Sequence, residues 1–227
     1  MEDLIMAALG DDAARIDQLL AAGASVDHAD GNGWTALASA AGRGYVAIVE
    51  RLLRAGANPN IADVKGLTAL MRAAEGGHVA VADLLLAAKA DVEHSDNKGK
   101  TALMRAAENH RVEMVDHLVK AGANPNHADK QGKTALMRAA LGGAGTIVER
   151  LLTSGAKPNL TDANGWTALI CAAAGDVAIV QRLIGAGVDI KHAAKDGTTA
   201  IGRAKTTGHT AAVELLEAEA RLRAELG

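Results

Sequence analysis

Apolar residues recur along the chain in two alternating patterns, both typical of short amphipathic helices. One pattern is Leu-Met-x-Ala-Ala, as at residues 103–107, and the other is Ile-Val-x-x-Leu-Leu, as at residues 48–53. Apolar positions three and four residues apart lie on one face of a helix, so the two patterns predict pairs of helices joined by glycine-rich turns. A glycine just after each second helix predicts a left-handed C-terminal cap there, at Gly23, Gly56, Gly122, Gly155 and Gly187. Lys89 occupies this position in one copy and is predicted to be strained.

The two helical patterns belong to a repeat of fixed length. Thr-Ala-Leu begins at residues 35, 68, 101, 134 and 167, always 33 residues apart, and Thr-Ala-Ile follows after 32, at residue 199. A glycine precedes each Thr by two residues, and in the first five copies an aspartate precedes it by five. Asp and Gly favour a turn, and Thr is a good N-cap. Each repeat is therefore predicted to be turn, helix, turn, helix and loop, stacked on its neighbours.

The repeat Asp-x-x-Gly-x-Thr-Ala-Leu-x-x-Ala-Ala, followed by Ile-Val-x-x-Leu-Leu-x-x-Gly-Ala-x-x-Asn, resembles the ankyrin repeat family. Every copy departs from the family's Thr-Pro-Leu-His by having Ala in place of Pro. The resemblance covers nearly the whole chain. It implies an all-α fold, an ankyrin-type helix-turn-helix solenoid with extended β-turn loops. We predict one domain of seven repeats, at approximately residues 1–29, 30–62, 63–95, 96–128, 129–161, 162–193 and 194–227.

The two ends and the sixth repeat depart from the common pattern. The first repeat is truncated, and the sixth is one residue short near residues 174–176. The tail over residues 214–226 is predicted to be a capping helix with ion pairs four residues apart, Glu217 with Arg221 and Glu219 with Arg223. The alternative, a short oligomerising coil, would need three to four heptads.

Composition and charge narrow the functional classes. The chain has 24 Lys and Arg against 27 Asp and Glu among its 227 residues, a balance that argues against nucleic-acid binding. Aromatic residues make up 1% and Phe is absent, so the core must consist of Ala, Leu, Val, Ile and Met. No apolar run approaches the roughly 18 residues that span a bilayer. The acidic N-terminus lacks a signal-peptide pattern, and we expect a cytoplasmic protein without membrane contact.

No motif for catalysis or metal binding is found. Nucleotide-binding, hydrolase, metalloprotease and calcium-loop signatures are all missing, so we predict no enzyme and no cofactor. The only cysteine, Cys171, is predicted to be a small packed residue. His28, His94, His127 and His192 share one repeat position. Metal ligands must lie within about 2 Å of the ion, whereas packed helices stand about 8–10 Å apart. These histidines are therefore predicted to make local backbone hydrogen bonds, with no metal.

Binding is the remaining function. In the family that this chain resembles, partners contact the turn tips and the exposed side of the first helix along a concave surface. Arginines recur there, four residues after the repeat Thr, and lysines flank them in the turns. Glu75 and Glu108 follow two of the arginines by three residues, but Leu141 follows Arg138, so the positive potential is expected to peak in the fifth repeat. The predicted partner-binding residues are Trp34, Leu67, Arg72, Lys98, Lys100, Arg105, Lys130, Lys133, Arg138 and Trp166.

Two functions are consistent with these residues. The first is a monomeric, non-enzymatic protein-interaction module, in which the arginines bind carboxylates of an acidic partner and the tryptophans anchor its ends. The alternative is a designed or consensus-like stable scaffold without a native partner site, because Thr-Ala-Leu-Met-Arg-Ala-Ala recurs in three successive repeats. In that case the arginine stems merely cover apolar surface and the tryptophans act as spacers.

Overall fold

The computed structural model describes residues 3–225, and the regular structure within them consists of fourteen α-helices. The prediction of an all-α fold is confirmed. The helices are α1 Asp3–Leu9, α2 Ala13–Ala21, α3 Ala36–Arg43, α4 Val46–Arg54, α5 Ala69–Gly76, α6 Val79–Ala87, α7 Ala102–Glu108, α8 Val112–Lys120, α9 Ala135–Leu141, α10 Gly145–Thr153, α11 Ala168–Ala172, α12 Val177–Gly185, α13 Ala200–Thr207 and α14 Thr210–Glu225.

The repeat threonine starts the first helix of each pair, as predicted. In α5 the Thr68 hydroxyl accepts a hydrogen bond from the Met71 N–H at 3.4 Å, which satisfies one amide that lacks a partner within the helix. The same bond forms at Thr35, Thr101, Thr134, Thr167 and Thr199. The alanine pairs of these helices are buried; Ala73 and Ala74, for example, are 0% exposed. Small buried side chains let adjacent helices approach closely, so the core requires no large aromatic residue.

The chain forms two compact units, an N-terminal unit up to Ala123 and a C-terminal unit from Asn124. In the N-terminal unit, the first helices α1, α3, α5 and α7 pack side by side, and α2, α4, α6 and α8 form a second layer against them. The C-terminal unit has the same two layers, with α9, α11 and α13 in one and α10, α12 and α14 in the other. Stripes such as Ile48, Val49 and Leu52 of α4 fill the space between the layers and are 0% exposed.

Side-chain amides join successive repeats within each unit. Asn60 donates from Nδ2 to the Lys89 carbonyl, while its Oδ1 accepts from the Asp91 N–H at 2.8 Å. Asn126 and Asn159 make the same pair of bonds to the next repeat of the C-terminal unit. These bonds explain the Asn at the end of the repeat motif, because its carboxamide offers an N–H donor and a carbonyl acceptor at the same time.

The turn tips also bond from repeat to repeat. In the N-terminal unit the Val64 N–H donates to the Asn32 carbonyl, and the Asn97 N–H donates to the Lys65 carbonyl, both at 3.0 Å. Gly66 lies in this close contact with φ of +80°, and a Cβ there would stand 2.8 Å from the Asn97 nitrogen. The repeat glycine is therefore required both by its conformation and by the approach of the next turn.

Two of the repeated histidines bond the turn at the start of their own repeat. His94 Nε2 lies 3.0 Å from the Gly66 carbonyl, and His192 Nε2 lies 2.8 Å from the Gly165 carbonyl. These are backbone hydrogen bonds, as predicted, but they are not local in the sequence, because the rings reach carbonyls 28 and 27 residues earlier. Within residues 3–225, no group of three or more His, Cys, Asp or Glu side chains could hold a metal ion.

The C-terminal repeats follow the predicted departures. Helix α11 has only five residues, and Asp176 caps α12 by accepting from the Ala178 N–H. Helix α14 packs on α12 and α13. Arg223 donates to the Val188 carbonyl and bonds Glu219, as predicted for a capping helix, while Leu226 of that prediction lies outside the described residues.

The predicted cap glycines all have positive φ, and Lys89 takes the same left-handed conformation with φ of 68°. A residue with a Cβ is strained there, so we expect Lys89→Gly to raise the free energy of unfolding by about 1 kcal/mol. Urea unfolding followed by circular dichroism measures the change. Lys89→Ala is the matched control, because alanine retains the strain and should leave stability near the wild-type value. A Gly variant no more stable than the Ala variant would contradict this prediction.

Candidate functional site

The turn aspartate of the repeat fixes the backbone of the turn. Asp96 Oδ1 accepts hydrogen bonds from the Lys98 N–H at 2.7 Å and the Lys100 N–H at 2.9 Å. Asp63 and Asp129 form the same two bonds in their own repeats. One carboxylate oxygen thus orients the tip of the turn, which explains why Asp precedes the repeat Thr by five residues.

The second oxygen of each aspartate binds the arginine nine residues later. The ion pairs are Asp63–Arg72, Asp96–Arg105 and Asp129–Arg138, each between Oδ2 and Nη2. The aspartate side chains are 1% to 3% exposed and those of the arginines 9% to 12%. We call this arrangement the turn lock. Three of the predicted partner-binding residues are therefore largely buried and bound to carboxylates of the chain itself, and their contact with a partner stays a prediction.

Asp96 shows the electrostatic consequence of the turn lock. Burial opposes ionisation of its carboxylate, but the turn amides and the Arg105 guanidinium outweigh it and hold the pKa of Asp96 below its ordinary value of 3.8. The ionised form is therefore bound more tightly in the folded state than in the unfolded chain. Its contribution to stability is present above about pH 4 and is lost as the pH falls through the lowered pKa.

Charge pairing differs from the expectation based on helix spacing. Glu75 binds Arg105 of the next repeat, and Glu108 binds Lys100 with 2.8 Å between Oε2 and Nζ. Arg138 has Leu141 at the three-residue spacing, but Asp129 of its own turn binds it.

The turns of the N-terminal unit enclose a cleft of about 820 Å³. Six of the ten predicted residues line it: Trp34, Leu67, Arg72, Lys98, Lys100 and Arg105. Leu67 is buried, whereas Val64, next to it in the lining, is 62% exposed. Five cationic side chains and three anionic ones line the cleft, so it carries an excess of positive charge.

Two lysines provide the free positive charge of this cleft. Lys65 and Lys98 occupy the same turn position in successive repeats, and both are exposed. Neither makes an ion pair with any residue of the described part of the chain. Lys65 is not among the predicted partner-binding residues, although it occupies the same turn position as Lys98.

The other four predicted residues lie in the C-terminal unit. Lys130 is exposed, and Lys133 is half-buried with its backbone N–H bound to Asp129. Trp166 is half-buried, like Trp34, so neither tryptophan stands free at its turn. Burial raises the pKa of the Cys171 thiol to about 11, so the thiol is protonated at neutral pH, consistent with a packed residue.

Each tryptophan lies under an arginine of the next repeat. The Arg72 guanidinium is 3.5 Å from the Trp34 ring centroid, and that of Arg203 is 4.3 Å from Trp166. Both tryptophan repeats have a small residue, Ser39 or Cys171, where other repeats have the lock arginine. The tryptophans thus have a packing role, and their contact with a partner stays a prediction.

A sequence model of ankyrin repeats, in three copies, matches residues 4–96, 84–162 and 136–225. The chain therefore belongs to the ankyrin repeat family, and its fold is the helical solenoid of that family. Ankyrin repeats are generally protein-protein interaction modules and are typically non-enzymatic. A search of curated proteins finds no match to this chain. Within residues 3–225, none of the helices combines the length and the apolar character needed to cross a membrane.

The turn lock predicts a pH-dependent effect of Asp96→Asn. Asparagine still accepts from the turn amides but cannot pair with Arg105, so we expect a loss of about 1–3 kcal/mol of stability at pH 7. The difference from wild type should shrink as the pH falls below about 4, since the Asp96 carboxyl is then protonated in the unfolded chain and, at still lower pH, in the folded protein. Urea unfolding at pH 7 and pH 3 measures both effects.

Asp30→Asn is the matched control for this experiment. Asp30 makes the same turn bonds, to the Asn32 and Trp34 N–H groups, but Ser39 replaces the lock arginine in its repeat. Its substitution should therefore cost much less at pH 7. Equal losses in the two variants would show that the turn bonds alone, and not the ion pair, account for the effect.

Proposed function

We propose that the chain is a non-enzymatic protein-interaction module whose N-terminal unit binds an acidic segment of a partner in the cleft between the turns. The observation that carries this proposal is the pair of exposed lysines, Lys65 and Lys98, at the edge of a cleft with excess positive charge. A monomeric state and a cytoplasmic location stay predictions from the sequence.

The lysines and the arginines have different roles in this proposal. Arg72 and Arg105 line the cleft, are largely buried and already bind Asp63 and Asp96, so they offer little charge to a partner. Lysine ammonium groups at the rim attract carboxylates over several ångströms and favour association with acidic partners. The charge available to a partner is therefore that of the turn lysines and not that of the arginines.

Apolar contact is available beside the lysines. Trp34 and Val64 line the same cleft, and Val64 is 62% exposed. Tryptophan is enriched among residues that dominate interface energies, and its ring is held in place by Arg72. An acidic segment with an adjacent apolar side chain fits this combination better than a purely acidic one.

The recurrence of Thr-Ala-Leu-Met-Arg-Ala-Ala, which favours the scaffold alternative, has a structural basis. Its Thr caps the helix, its Ala residues form the core and its Arg completes the turn lock. A folding role alone accounts for this block. The cleft residues Trp34, Val64 and Lys65 lie outside it, in turn positions that vary between repeats.

Peptide selection tests the proposal without a known partner. Phage-displayed random peptides selected on the immobilised full chain should be enriched in Asp and Glu together with an apolar residue. Fluorescence polarisation of a selected peptide should show about tenfold weaker binding to the Lys65→Glu/Lys98→Glu variant, since about 1.4 kcal/mol corresponds to tenfold.

Lys120→Glu/Lys157→Glu is the matched control, because these exposed lysines lie outside the cleft and the change in net charge is the same. This control should bind the peptide within about twofold of wild type, as expected for a specific site rather than for net charge. Equal binding by the cleft variant would contradict the proposal, and a failure to enrich any peptide would favour the scaffold.

A further inference from the structure

The last repeat has a lock arginine without its aspartate. In the third, fourth and fifth repeats, the arginine binds the aspartate nine residues before it. In the seventh repeat the residue nine positions before Arg203 is Ala194. Within residues 3–225, Arg203 makes no ion pair, and its Nη1 is buried without a hydrogen-bond acceptor. A guanidinium in the lock position is thus left without its carboxylate.

The aspartates of the sixth and seventh turns, Asp162 and Asp196, do not replace it. Asp162 of the preceding repeat uses Oδ1 for the Asn164 and Trp166 N–H groups and forms no ion pair with Arg203. Asp196 accepts from the Thr198 N–H, and these hydrogen bonds to Thr198 lower its pKa. Neither carboxylate forms an ion pair with Arg203, and one oxygen of each is bound by its own turn.

Trp166 holds the unpaired arginine in a defined orientation. The guanidinium of Arg203 is 4.3 Å from the Trp166 ring centroid, a cation–π contact that limits its motion. Arg72 in the N-terminal unit has the same contact with Trp34 and, in addition, binds Asp63. A guanidinium stacked on tryptophan is therefore compatible with a carboxylate at its edge, and only the carboxylate is missing at Arg203.

We propose that Arg203 and Trp166 form a binding site for a single Asp or Glu side chain of a protein partner. The planar guanidinium matches a carboxylate through two parallel hydrogen bonds, and the indole edge offers apolar contact to the methylene groups of the incoming side chain. Arg203 is half-buried, so part of its side chain is accessible to solvent. This site shares no residue with the cleft of the N-terminal unit and does not depend on the function proposed for that cleft.

The two tryptophans allow each site to be observed separately. The chain contains two Trp, so ¹⁵N-labelled protein gives two indole N–H signals, which Trp166→Phe assigns. The probe is the peptide acetyl-Ala-Ala-Glu-Ala-Ala-amide, with the Gln peptide as its uncharged control. We expect the Trp166 signal to shift on titration with the Glu peptide. The Gln peptide should bind about tenfold more weakly or not at all, because charge-assisted hydrogen bonds are the stronger ones.

Substitution of Ala194 provides the decisive comparison. Ala194→Asp supplies the carboxylate found in the other repeats and should weaken binding of the Glu peptide about tenfold or more. Asparagine has nearly the same size as aspartate but no charge, so Ala194→Asn should bind the Glu peptide like wild type. Arg203→Gln is a second variant that should lose the response and does not depend on how Ala194→Asp folds.

Three results would overturn the proposal. The first is a Trp166 signal that does not respond to the Glu peptide, even if the Trp34 signal does, an outcome that leaves the N-terminal cleft unaffected. The second is an equal response in Ala194→Asp and Ala194→Asn. The third is a larger Trp166 shift with inorganic phosphate than with the Glu peptide at equal concentration, which would indicate an anion site of another class.

Discussion

The turn aspartate is the constraint on which five of the repeats depend, and in the third, fourth and fifth repeats an arginine completes it as the turn lock. One oxygen of Asp96 sets the turn through two backbone amides, and the other binds Arg105 on the helix that follows. Because both charges are largely buried, loss of either one leaves the other desolvated and unpaired. The turn so fixed places the threonine at the helix start and lets the tip bond the next repeat. The same turn therefore both starts the helix of its own repeat and bonds the neighbouring repeat.

Where the lock is present, the residues that stabilise the fold are different from those that are open to a partner. Arg72 and Arg105 line the cleft of the N-terminal unit, yet an aspartate of the same repeat neutralises the charge of each. Free charge and apolar surface come instead from turn positions that the lock leaves open, such as Lys65, Lys98 and Val64. A row of identical residues is thus weaker evidence for binding than the variable positions between them.

Features set within a single repeat could be predicted from the sequence, and features set between repeats could not. The threonine caps and the strained Lys89 follow from the order of residues in one repeat. The three-residue spacing of Arg72 and Glu75 suggests a pair, but the structure joins Glu75 to Arg105, because neighbouring first helices pack side by side. His94 likewise bonds the Gly66 carbonyl, 28 residues earlier in the chain. Spacing along the chain carries no information on such contacts.

Comparison between repeats recovers part of what spacing misses. Each tryptophan occurs in a repeat whose lock arginine is replaced by a small residue, Ser39 or Cys171, and each lies under the arginine of the next repeat. The small residue leaves room at that position, and the indole supplies a surface for the neighbouring guanidinium. Arg72 still has its aspartate, whereas Arg203 does not. The third, fourth and fifth repeats show what a complete lock contains. Ala194 stands where those repeats have the aspartate, so the seventh repeat lacks the carboxylate of the lock.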